Sequence, residues 1–167
     1  REIAPTFFLG VPRIWEKLHS SIYIKIQETG RFRQGLFKWA IRACSPMATK
    51  PRQEWNLKEK CVYGLSYFLV LRALQNFIGL RRCTVALTGA APISTGILEF
   101  FRTIGIPLVE VYGQTESTGV ATAQPVDDVH LGTVGVAVSG VEVKLGEHNE
   151  IIMRGGSMFK GYYKNDE

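Results

Sequence analysis

The stretch PLVEVYGQTESTG, residues 107–119, decides how this chain is read. Leu108, Val109 and Val111 form a short apolar run of the kind that fills a buried strand, and the run breaks at Tyr112 and Gly113. Gln114, Thr115, Glu116, Ser117, Thr118 and Gly119 follow: one amide, one carboxylate and three hydroxyls in six residues. In open α/β sheets, ligands bind outside the carboxyl ends of the strands. Polar groups gathered directly behind a buried strand are therefore a candidate site.

Upstream, residues 84–88 (TVALT) make a second short β-rich run, followed by Gly89, Ala90, Ala91 and Pro92. Ser94 suits the N-cap of a helix expected over residues 95–104, and Gly105 can close it. Strand, turn, helix and strand in this order predict a βαβ unit with parallel strands and a right-handed crossover. Both strands then end on one edge of the sheet, which brings residues 89–92 beside residues 112–116. The small side chains at 89–92 let a ligand approach the backbone closely. A tight strand-to-helix turn asks for the same residues.

Working outward, residues 5–11 read as a strand, and Pro12 suits the first turn of a helix. Ile14, Leu18, Ile22 and Ile26 recur every four residues, predicting an amphipathic helix that Gly30 can end. Phe32, Leu36, Phe37, Ala40, Ile41 and Cys44 repeat the helical spacing, and residues 45–52 read as a loop. Residues 61–80 have about the length of a bilayer span but contain Arg72, Gln75 and Asn76. A central arginine costs at least ~2.5 kcal/mol in lipid. A buried or partly buried helix is expected there, with a transmembrane span and a helix lying on a membrane surface as the alternatives.

After Gln124 the helical signals stop. Val141, Val143 and Leu145 alternate with Glu142 and Lys144, residues 146–149 make a turn, and residues 150–154 form another strand. This predicts a hairpin with a core face and a wet face. The expected fold class is α/β: a parallel-sheet βαβ region preceded by helices and followed by a small β-rich subdomain. Residues 1–125 are expected to hold the α/β part and residues 126–167 the β-rich part.

The 167 residues are 46% hydrophobic and 21% charged, within the globular range. The net charge of +5 conceals an asymmetry: residues 1–84 carry 15 Lys and Arg against 5 Asp and Glu, and residues 85–167 carry 5 against 10. The basic half can attract phosphates or acidic lipid. Its cations are spread along helices with no aromatic stacking platform between them, which favours solvated helix faces and argues against nucleic acid. Cys44, Cys61 and Cys83 form neither a CxxC nor an even set, so a reducing, intracellular setting is expected. The three histidines have no metal-ligand spacing, and there is no GxxxxGK[ST] loop, no GxGxxG and no Ser-His-Asp arrangement.

Glu116 carries the chemistry best. A carboxylate beside a backbone-rich turn can hold Mg²⁺, a hard ion that often shares its oxygen ligands with a nucleotide's phosphates. Thr115 can donate to a phosphate oxygen and Tyr112 can stack on a base. The same residue types also cap turns after strands, and spacing alone leaves both readings open.

Together the two turns resemble the adenylate-forming (AMP-binding) superfamily, in particular its long-chain fatty-acid–CoA ligases. Four segments carry the resemblance: VPRIWEKL at 11–18, LTGAAPIS at 87–94, EVYGQTES at 110–117, and GTVGVAVSGVEVKL with EIIMRGGSMFKGYYKN between 132 and 165. The resemblance implies that Gly89, Ala90, Ala91 and Pro92 line an adenine pocket with their backbone. It implies that Glu110, Val111, Tyr112, Gly113 and Gln114 continue the nucleotide site, with Tyr112 packed on the adenine and Gly113 bordering the acyl pocket. Thr115 and Glu116 become the catalytic residues, the first on the phosphate and the second on Mg²⁺. The implied reaction joins a fatty acid to CoA at the expense of ATP, through acyl-AMP and with release of pyrophosphate and AMP. The implied setting is cytoplasmic, with peripheral membrane contact by the basic half compatible with it.

The alternatives are an enzyme that adenylates aryl or amino acids, and a non-enzymatic basic module that binds acidic membranes. The first residue is Arg1 and the chain ends in the polar run 164–167, so an internal piece of a longer protein is expected. The family's phosphate loop is expected before Arg1, and its ribose-binding aspartate and catalytic lysine after Glu167. The chain alone is accordingly expected to make no acyl-CoA.

Overall fold

The computed structural model describes residues 4–164. Residues 1–3 and 165–167, which include the two expected cut ends and Asn165 of the last family-like segment, lie outside the described residues. Five strands form one sheet in chain order: β1 (Phe7–Gly10), β2 (Val85–Thr88), β3 (Leu108–Gln114), β4 (Gly119–Ala123) and β5 (Val136–Ala137). The first three are parallel, and the register sets Thr88 opposite both Gly10 and Glu110. The predicted βαβ unit is β2, α5 (Thr95–Thr103) and β3. β4 and β5 then pair antiparallel.

β3 departs from the expectation that it stops at Tyr112. It runs on to Gln114, because its second half finds a partner in β4, which the sequence did not announce. Val111 and Tyr112 pair with Ala123 and Thr122; the register then shifts at Tyr112/Gly113 and resumes with Gly113 opposite Val120, leaving Ala121 of β4 without a partner. β3 is thus half parallel and half antiparallel, and the irregularity is a β-bulge.

The helices cover the sheet. α1 (Pro12–Gln27) has its proline in the first turn, but its buried positions are Pro12, Trp15 and Ile22, whereas Ile14 is exposed. A stripe spaced strictly by four drifts around a helix of 3.6 residues per turn, so Ile14 cannot share the buried face of Ile22. Trp15 fills the place instead: it is fully buried, its indole N–H donates to Gly10 O at 3.0 Å, and its ring meets Phe8 and Phe101 edge-on at 5.2 and 4.9 Å. Burying a residue of this size contributes about 3 kcal/mol. α2 (Arg31–Cys44) buries Phe37, Ala40 and Cys44. In α5, Leu98, Phe100 and Phe101 face the core, and Gly105, at φ 87°, lets the chain turn back into β3. Ser94 occupies the N-cap position but its side chain makes no capping hydrogen bond.

The partly buried helix expected over residues 61–80 runs over Leu57–Ile78 as α3 (Leu57–Ser66), a π-helical turn (Tyr67–Leu71) and α4 (Arg72–Ile78). It starts early because Asn56 and Glu59 form a capping box: Asn56 accepts from the Glu59 N–H at 2.8 Å and Glu59 accepts from the Asn56 N–H at 2.7 Å. By length and composition this helix could cross a membrane, with a mean hydropathy of 1.3. Its inner face is nevertheless part of the core: Val70, Leu71 and Leu74 are buried, and Gln75 donates to Ile104 O at 2.7 Å. A spanning position would tear these contacts apart.

The hairpin is β6 (Val141–Leu145) and β7 (Ile151–Gly155), paired from Val141–Gly155 to Leu145–Ile151. Its expected core face is only partly covered: Val141 is buried and Val143 and Met153 are half-buried, while Leu145 and Ile151 are exposed. A two-stranded ribbon buries a face only against another layer. The expected boundary after residue 125 falls between β4 and β5.

Candidate functional site

The turn after β2 seats on β3 at Glu110 and Val111, at the end of the parallel pairing; β3 runs on to Gln114, so the turn Thr115–Ser117 lies further along that strand. Gly89 is buried so tightly against β3 that a Cβ there would lie 2.9 Å from both Val111 Cγ2 and Val111 O. Ala90 follows with φ 67°, a left-handed conformation that costs an alanine about 1 kcal/mol or more. Ala90, Ala91 and Pro92 are exposed, so their backbone and small side chains form an open ledge. The ledge is held to β3 a second time where the Ile93 N–H donates to the half-buried Glu110 carboxylate. Burial nonetheless pushes the Glu110 carboxyl above its ordinary range.

Along β3, Val111 is buried, Tyr112 and Gly113 are half-buried, and Gln114 and Thr115 are exposed. Gly113 has no room for a side chain: a Cβ would sit 1.6 Å from Gly119 O. The polar cluster divides into two groups. Ser117 is structural. It is buried, its Oγ accepts from the Gln114 N–H at 3.0 Å, and it lies 2.9 and 2.8 Å from Gln114 O and Gly119 O. It pins the 3-10 turn Thr115–Ser117, after which Thr118 adopts φ 50°. The side chains of Thr115 and Glu116 take no part in this knot, and Thr115 is exposed.

Glu116 is engaged by a residue that sequence reasoning passed over. Tyr162 donates its phenolic hydrogen to Glu116 Oε1, the Phe159 N–H donates to Glu116 O at 2.9 Å, and the Thr118 hydroxyl donates to Ser157 O. The hydrogen bond from Tyr162 draws the Glu116 carboxyl below its ordinary range and raises the Tyr162 phenol above its own. Tyr162 lies 46 positions from Glu116, so no local spacing could reveal the contact. Gln124 is a second missed residue. It is buried, accepts from the Glu110 N–H at 3.4 Å, and donates to His130 O and Thr133 O at 2.6 and 2.7 Å. It holds the loop before β5 against the back of β3.

Among the described residues, no three or more His, Cys, Asp or Glu side chains are grouped so as to hold a metal ion by themselves. The donor set at the site is one ionised carboxylate, with one oxygen taken by Tyr162, and the neighbouring Thr115 hydroxyl. That suits an ion such as Mg²⁺, which takes one or two protein carboxylates and completes its shell with water and phosphate oxygens.

The family described as AMP-binding enzyme matches residues 1–163. The chain is 35% identical over 166 residues to fadD11 of Mycobacterium tuberculosis, named for a fatty-acid–CoA ligase, covering 98% of this chain and 29% of that protein. It is 30% identical over 172 residues to the long-chain-fatty-acid–CoA ligase ACSBG2 of Xenopus laevis, covering all of this chain and 23% of the relative. A benzoate CoA ligase from Burkholderia xenovorans LB400 superposes with a TM-score of 0.55 at 18% identity, over 99% of this chain and 26% of that one, and shows the likeness of fold. The chain thus spans less than a third of the length of the relatives it matches.

Proposed function

This chain belongs to the AMP-binding enzymes, and from that premise we propose that the whole protein carrying it is an ATP-dependent, AMP-forming ligase that joins a long-chain fatty acid to CoA. The observation that carries the reading is the seating of the turn after β2 against β3, with Gly89 against Val111 and the Ile93 N–H on Glu110. It supports a single surface made of residues 89–92 and 110–116 at the end of the parallel strands, where open α/β sheets bind ligands.

On this reading the exposed backbone at Ala90, Ala91 and Pro92 and the ring of Tyr112 enclose an adenine, and Gly113 borders the acyl chain. The Thr115 hydroxyl donates to the α-phosphate and fixes its orientation. Glu116, kept ionised by the Tyr162 hydrogen bond, holds Mg²⁺. Bound there, Mg²⁺ supplies positive charge against the negative charge that builds up on the phosphate. The site's own contribution is positioning: donors and carboxylate sit on a turn fixed by Ser117, so little reorganisation is needed when the carboxylate of the acid attacks the α-phosphate. The fatty-acid–CoA ligase names of the relatives support the choice of acid and of CoA.

The test is pyrophosphate release by the whole protein on a panel of palmitate, benzoate and amino acids. Palmitate should drive release, and Glu116→Ala should lower kcat/KM on the order of a hundredfold. Release driven by benzoate or an amino acid but not by palmitate overturns the substrate class. Full activity of Glu116→Ala overturns the role given to that carboxylate.

A further inference from the structure

We propose that Tyr162 is a positioning residue that holds Glu116 to metal ligation through one oxygen, and that it thereby favours Mg²⁺ over a larger divalent cation such as Ca²⁺. The inference rests on the reading that Glu116 holds the metal, and it adds what sets the geometry of that carboxylate and its choice of ion.

The segment after β7 is fastened to the turn after β3 at three points. The Phe159 N–H donates to Glu116 O at 2.9 Å, the Thr118 hydroxyl donates to Ser157 O, and the Tyr162 phenol donates to Glu116 Oε1. The first two contacts seat the segment on the turn, and only the third reaches the carboxylate. The Tyr162 ring rests edge-on against Phe159, with centroids 4.9 Å apart and planes at 82°. The residue that bonds the Glu116 main chain therefore also braces the ring that bonds its side chain. From the other side the turn is pinned by Ser117. The Glu116 carboxylate also accepts its own main-chain N–H, and among the described residues no other side chain donates to it.

A free carboxylate can chelate an ion through both of its oxygens. Ca²⁺ makes use of this, because it takes about six to eight oxygen ligands in a flexible geometry. Mg²⁺ is smaller, demands a near-ideal octahedron and keeps several waters, so one carboxylate oxygen serves it. With the phenol on Oε1, chelation through two oxygens has to break a hydrogen bond to a charged acceptor, which is roughly twice as strong as one between neutral groups. Ligation through the other oxygen leaves that bond intact. The contact thus weighs against the ion that gains most from chelation. Outer partners of this kind change metal affinity by about 10–100-fold when removed.

The experiment follows Mn²⁺ binding to the whole protein by electron paramagnetic resonance, with α,β-methylene-ATP as a nucleotide that cannot react, and displaces the Mn²⁺ with Mg²⁺ or Ca²⁺. Tyr162→Phe keeps the ring against Phe159 and removes only the phenol; the ring is 52% exposed, so thermal unfolding should stay near that of the parent. This variant should lower the ratio of Mg²⁺ to Ca²⁺ affinity at least about fivefold, within the range that such outer partners command. Thr118→Val releases Ser157 without touching the carboxylate and should leave the ratio unchanged. Glu116→Ala should abolish the Mn²⁺ site. Mn²⁺ binding retained in Glu116→Ala removes the metal reading and the inference with it. Loss in Glu116→Ala together with an unchanged ratio in Tyr162→Phe overturns the inference alone. An equal shift in Thr118→Val assigns the effect to the docking of the whole segment and overturns the role given to the phenol.

Discussion

Replacing Gly113 by alanine tests whether the close approach of β3 to β4 beside the bulge is a fixed part of the site. The added Cβ would lie 1.6 Å from Gly119 O, 2.6 Å from Gly119 C and 3.0 Å from Val120 Cα, all of them backbone atoms that cannot swing aside. Ordinary contact begins near 3.4 Å, so β3 and β4 must part by about 1.8 Å at this point. The pairings Gly113–Val120 and Gln114–Gly119 lie directly there. Losing two hydrogen bonds costs about 2 kcal/mol, and overpacking adds about 1–3 kcal/mol. Alanine's lower unfolded-state entropy returns about 0.4–1 kcal/mol. The net loss is about 2–4 kcal/mol, a large part of the stability of a typical domain. The assay is equilibrium urea unfolding followed by tryptophan fluorescence, with Gly96→Ala as its control. At Gly96, in α5, the nearest neighbour of a new Cβ is Ser94 Oγ at 3.7 Å, so alanine should stabilise the helix by about 0.5–1 kcal/mol. If Gly113→Ala unfolds within about 0.5 kcal/mol of the parent, the close approach of β3 to β4 is not a constraint and the reasoning fails.

Arg102→Met should cost about 3 kcal/mol, because the guanidinium donates to Ala48 O, Leu108 O and Val126 O at 2.7, 3.1 and 2.9 Å and methionine leaves three carbonyls without donors. A thermal midpoint equal to that of the parent would refute this. The contact between Glu116 and Tyr162 should give the segment after β7 a pH window. Glu116 is held below its ordinary value of 4.5, so its contribution is present above that pH and lost as pH falls through the lowered value. Tyr162 is held above 10.0, so its contribution is present below that pH and lost as pH rises through the raised value. Limited proteolysis across pH should find the segment protected between these limits, and Tyr162→Phe should remove the acid-side dependence; equal cleavage of both proteins at every pH would count against the contact.

Much of the fold was legible because it rests on local signals. Pro12 at a helix start, the apolar runs of β2 and β3, and the helix between them needed only propensity and period. What escaped depends on partners distant in sequence. β4 has no strong apolar alternation, and its pairing with β3 exists because Gly113 and Gly119 let two backbones touch. The four-residue stripe of α1 named Ile14, while the core selected Trp15, whose volume and indole N–H fit the gap beside Gly10. At the candidate site, parallel strands alone predicted that residues 89–92 lie beside residues 112–116; the contacts of that turn fall earlier on β3, at Glu110 and Val111. The division of labour within the polar cluster was not legible: that Ser117 is spent on the turn, and that Tyr162 reaches Glu116, are facts of packing.

The bulge at Tyr112/Gly113 also limits how this region can change over time. Side chains in a strand alternate between faces, and an extra residue in one strand reverses that alternation beyond it. Here the extra residue is Ala121 of β4, so β3 keeps its own alternation through Gln114 up to the turn that carries Thr115 and Glu116. Exchanging any of these side chains alters one contact. Deleting or inserting a single residue between Val111 and Ser117 would turn the hydroxyl, the carboxylate and the ring to new directions at once, and would draw Ser117 out of its three-way knot. Drift by substitution is open to this loop, while its length is locked.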